Sequence, residues 1–109
     1  MKNPEFQNAG FEVYQHPEPD CTQFYKTVLH PLYGKKTYFI HATQWAREGQ
    51  VSVEFDAHFY LPADNKFGTS DSSFRVTFVP GVDATIEGVE AVFKQIYELL
   101  GCVPDPNDD

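Results

Sequence analysis

Residues 39–58 read FIHATQWAREGQVSVEFDAH, and the pattern on either side of Glu48-Gly49 decides the fold. After the turn, Val51, Val53, Phe55, Ala57, Phe59 and Leu61 alternate with Ser52, Glu54, Asp56, His58 and Tyr60. That is the period of a strand with one apolar face. Residues 36–47 read as the strand before it. Glu48-Gly49 suits a two-residue hairpin loop, in which glycine supplies a positive φ.

The loop length sets the register. Two loop residues pair Arg47 with Gln50, Trp45 with Ser52, Thr43 with Glu54, His41 with Asp56, Phe39 with His58 and Thr37 with Tyr60. The other face then pairs Ala46 with Val51, Ala42 with Phe55, Ile40 with Ala57 and Tyr38 with Phe59. It is apolar apart from Gln44. An odd loop length would flip one strand and mix the faces. The coherent register is therefore expected, with its apolar face against helices.

Upstream, residues 1–9 are polar and read as a loose N-terminus. Gly10 to Gln15 alternates as a short strand. HPEPD breaks the chain with two prolines, and Asp20 with Gln23 three residues later has capping-box spacing. Cys21, Phe24, Tyr25, Val28, Leu29 and Leu32 then recur at helical steps until Pro31 and Gly34. Tyr25, Thr27 and Val28 would permit a strand, but periodicity predicts a helix over residues 21–30.

Downstream, residues 62–73 (PADNKFGTSDSS) form a long polar loop. Phe74, Val76 and Phe78 alternate with Arg75 and Thr77 as a further strand. A second helix is expected from an Asp83 or Thr85 cap to Leu100, with Gly101 at C′ and Pro104 blocking continuation. Residues 103–109 read as an acidic tail. The expected architecture is one α+β domain over residues 1–109, in β-α-β-β-β-α order. Its antiparallel sheet has three or four strands with both helices packed on one face, a two-layer sandwich.

A chain of 109 residues with 41% hydrophobic residues can bury one core. Sixteen acidic against eight basic residues give a net charge of −8, which repels phosphate backbones and disfavours nucleic acid. The same charge favours a basic protein partner. The α-β-β-β-α part of the expected order resembles double-stranded RNA-binding domains in outline. The basic loop and basic helix start through which those modules hold phosphate are missing. No apolar run suits a membrane span and no signal peptide is visible, so a cytoplasmic protein without membrane contact is expected. Cys21 and Cys102 lack metal or redox spacing and read as reduced thiols.

The register gathers His41, Glu54, Asp56 and His58 on the helix-free face, with Trp45, Phe39 and Tyr60 around them. Three readings compete. Cross-strand His–Asp and Thr–Glu pairs commonly do no more than satisfy an exposed sheet face. Aromatics interleaved with polar groups also make a partner-binding patch, with Trp45 as its anchor. Two histidines and two carboxylates would thirdly serve a metal or acid–base chemistry. An open sheet excludes water poorly, and no paired ligand spacing such as HExxH is present. The sequence therefore points to a small non-enzymatic protein, of an inhibitor, immunity or adaptor type, that needs no cofactor. A metal-binding or acid–base enzyme and a homodimeric structural protein are the alternatives.

Overall fold

The computed structural model describes residues 3–14, 20–47, 49–62 and 72–105. Its elements are α1 (Asn3–Asn8), β1 (Glu12–Tyr14), β2 (Cys21–Leu29), β3 (Lys36–Arg47), β4 (Gln50–Leu61), β5 (Ser72–Phe78) and α2 (Ile86–Leu99). The class is α+β. The five strands form one antiparallel sheet in the order β1-β2-β3-β4-β5. Most of the long loop after β4, the HPEP segment and the last four residues lie outside the described residues.

The central hairpin has the register its loop length implies. His41 is opposite Asp56, Thr43 opposite Glu54, Trp45 opposite Ser52 and Arg47 opposite Gln50, and Gly49 has φ 76°. On the apolar side, Tyr38, Ile40, Ala42, Val53, Phe55, Ala57 and Phe59 are buried. Val51, near the turn, is exposed. Gln44 interrupts that face, and its Oε1 is buried without a hydrogen-bond partner among the described residues.

Several expectations need correction, beginning with the sheet, which has five strands and not three or four. Residues 21–29 are a strand, β2, not a helix, so the α-β-β-β-α outline disappears. Aromatic and β-branched residues (Phe24, Tyr25, Thr27, Val28) favour a pleated surface. What hid the alternation is Lys26, a charge in register with Ile40 on the core side. Lys26 Nζ donates to Glu90 Oε1 at 2.5 Å and to the Ala9 carbonyl at 2.7 Å. Both partners are remote in sequence, so a local pattern could not reveal how the charge is accommodated.

The N-terminus is not loose either. Phe6 of α1 is fully buried, stacking on Phe24 with ring centroids 4.2 Å apart and lying 6.1 Å from Phe55. A single phenylalanine in a polar hexapeptide carries little periodic signal, yet burying its ring anchors the helix. At the other end of the core, Phe93 of α2 packs on Phe59 and Phe78.

Helix α2 begins at Thr85, whose hydroxyl accepts from the Gly88 N–H at 3.0 Å. A Cβ at position 88 would lie 3.2 Å from that hydroxyl oxygen, so glycine leaves the cap undisturbed. The helix ends as expected at Gly101, φ 63°, with the Cys102 N–H donating to the Tyr97 carbonyl at 3.0 Å.

The chain after this cap is not simply a tail. The β3–β4 ladder stops at Ile40–Ala57, so the expected Phe39–His58 and Thr37–Tyr60 pairs fall beyond its end. There the Val103 N–H donates to the Tyr60 carbonyl (2.9 Å) and the Asp105 N–H to the Lys36 carbonyl (2.8 Å). The final segment thus ties the start of β3 to the end of β4.

Candidate functional site

The strand alternation that buries Phe24, Ile40 and Phe55 turns their neighbours to the outer face. The registers align one row across all five strands: Glu12, Tyr25, His41, Asp56 and Thr77. Tyr25 donates its phenol hydrogen to Glu12 Oε2. That bond, and the Glu12 charge behind it, raise the Tyr25 pKa above its ordinary value. A parallel row carries Tyr14, Gln23, Thr43 and Glu54.

One stretch of this face is concave. Phe39, His41, Asp56, His58, Tyr60 and Arg75 line a shallow hollow of about 260 Å³. The His58 and Tyr60 rings stack with centroids 5.0 Å apart, and Phe39 meets His41 edge-on at 6.5 Å. The Lys36 ammonium lies 5.8 Å from the Phe39 ring centroid. Arg75 stands opposite His58 across the β4–β5 ladder.

Five of the seven residues singled out from sequence therefore meet: Phe39, His41, Asp56, His58 and Tyr60. Glu54 lies on the same face, two positions along β4. Trp45 is further off. Six residues of extended strand separate it from Phe39, about 20 Å, and it lines a different hollow with Gln50, Val51 and Ser52. The aromatic patch is therefore split, not a ring around one centre.

Sequence reading gave Arg75 no role, although its alternation with Phe74 and Val76 already placed it opposite the core. Tyr25 and Glu12 were missed because a helix over residues 21–30 puts Tyr25 nowhere near the sheet face.

Among the described residues, no three His, Cys, Asp or Glu side chains are grouped so as to hold a metal ion. No described helix is long and apolar enough to cross a membrane. Cys21 and Cys102 are both thiols, the first buried opposite Trp45. His30 serves its own turn: Nδ1 accepts from the backbone N–H groups of Leu32 (3.1 Å) and Tyr33 (3.4 Å).

Compared with known proteins, the chain matches no family model, and no curated protein or solved structure matches it.

Proposed function

We propose that this chain is a non-enzymatic protein that binds a basic protein partner through the outer face of its sheet. In this reading both helices hold the core side and leave the other face for recognition. The observation that carries it is the composition of the hollow and the row through it. Half-buried Phe39, Tyr60 and Tyr25 share this face with Glu12 and Asp56 and, in the neighbouring row, Glu54, while Arg75 at the edge of the hollow is its one arginine among the described residues, on a five-stranded support. Aromatic side chains contribute large contact area at low entropic cost, and acidic neighbours select a cationic partner and speed encounter. A net charge of −8 acts in the same direction.

An inhibitor, an immunity-type protein or an adaptor would each use such a face. A cytoplasmic setting fits that role. The alternatives are metal or acid–base chemistry by His41, Glu54, Asp56 and His58, and a homodimer closed through the same face. One set of measurements separates them. The proposal expects a monomer by light scattering, no thermal shift with zinc, and a captured protein that is lost when Tyr60 and His58 are both changed to alanine. Dimerisation that the double variant abolishes would favour the homodimer. A zinc-dependent rise in melting temperature would favour the metal reading.

A further inference from the structure

A second hollow, larger than the first, lies on the core side of the sheet between α2 and the far ends of β2 and β3. It measures about 480 Å³. Hollows of roughly 300–1,000 Å³ are the size that takes small molecules. Val28, Leu29, Pro31 and Ile40 give it an apolar wall, and Lys94, Tyr97 and Glu98 of α2 form the facing rim.

Part of its polar equipment is already engaged. Lys26 is held by Glu90 and the Ala9 carbonyl, and the Thr37 hydroxyl donates to the Val28 carbonyl at 2.6 Å. The hydroxyls of Tyr38 and Tyr97 and the Lys94 ammonium have no hydrogen-bond partner among the described residues. Burial, reinforced by Glu90, raises the Tyr38 phenol to about 12, and burial also raises Tyr97. Both phenols therefore keep their hydrogen at neutral pH and act as donors.

Three donors beside an apolar wall call for a ligand with one acceptor-rich end and a hydrocarbon body. With Glu90 neutralised by Lys26, Lys94 is the lysine left to choose that end among the described lining residues, with His30 across the hollow from it. We propose that this hollow binds a small aliphatic or aryl carboxylic acid. The hydrocarbon lies on Val28, Leu29 and Pro31, and the carboxylate is held by Lys94 and the hydroxyls of Tyr38 and Tyr97. Glu98 is the competing feature, since it would draw an ammonium instead.

Three probes of equal chain length decide the chemistry: octanoate, octanol and octylammonium, titrated into the ¹⁵N-labelled full chain. Octanoate should shift the amides of Val28, Leu29, Tyr38, Lys94 and Tyr97 saturably and bind about tenfold more tightly than the other two. Lys94→Gln, at an exposed position, should keep the melting temperature and lower octanoate affinity about tenfold while leaving octanol unchanged. Tyr38→Phe keeps the ring and should also weaken octanoate selectively. The proposal is overturned if octylammonium binds best, if all three bind equally, or if no saturable shift appears at these residues.

Discussion

His41 on β3 stands directly opposite Asp56 on β4, at the middle of a row that begins with Glu12 on β1 and ends with Thr77 on β5. The row exists because five strands keep one alternation. Everything attributed to the outer face depends on the same packing that fills the core, and that packing can be tested first.

Phe6 couples α1 to the sheet. Phe6→Ala removes a fully buried ring from between Phe24 and Phe55, and should cost about 3–5 kcal/mol in urea denaturation. An N-terminus without tertiary contacts would give no change.

The Lys26–Glu90 pair joins β2 to α2 at 2.5 Å, with each side chain about one-quarter exposed (28% and 24%). Its energy should fall between that of a surface pair and a buried one. Glu90→Ala is expected to cost about 1–2 kcal/mol, leaving Lys26 with only the Ala9 carbonyl. Lys26→Met, which removes the charge and keeps the stem, should cost less in the same denaturation series.

Much of the fold could be read in advance, and the failures share a cause. Val51 to Leu61 shows its alternation openly, and a single loop length then placed His41 against Asp56. Residues 21–29 failed because Lys26 sits on the core side and its partners come from α1's end and from α2. Phe6 failed for a related reason: its stacking partners are on β2 and β4. The candidate site inherited both limits. The pairs from His41–Asp56 to Arg47–Gln50 have the expected register, whereas Phe39–His58 and Thr37–Tyr60 lie beyond the ladder and Tyr25 is hidden by the helical reading of its strand. Trp45 shares a face with Phe39 but lies about 20 Å along β3 from it, a separation that alternation alone does not show.

Tyr38 should make stability fall in alkali. Its folded pKa is about 12 against an ordinary 10.0, chiefly through burial. Below pH 10 the phenol is protonated whether folded or unfolded, and its contribution is complete. Between pH 10 and 12 only the unfolded chain releases the proton, so stability drops as pH rises through this window. Tyr97 and Cys102, both also raised by burial, add to the loss in the same direction. Tyr38→Phe should flatten the decline measured by denaturant midpoints from pH 9 to 11.5.

Val103 closes the gap where the β3–β4 ladder ends. Val103→Pro deletes the N–H that reaches the Tyr60 carbonyl, and should destabilise the chain by about 1–2 kcal/mol. Hydrogen exchange should quicken at Asp105, whose N–H is held by Lys36, while α2 keeps its protection.

The central claim is that the outer sheet face recognises a basic protein. The most direct test is the affinity of a partner captured from the native host, measured for the wild-type chain and for three variants. Tyr60→Ala probes the hollow, Trp45→Ala probes the distant aromatic, and Gln95→Ala on the exposed side of α2 is the control. The account expects Tyr60→Ala to weaken binding about tenfold or more, a loss above 1.4 kcal/mol, with the control unchanged. Trp45→Ala should cost less, and affinity should fall as salt rises. Equal affinity for the wild type, Tyr60→Ala and Trp45→Ala, with no dependence on salt, would contradict it.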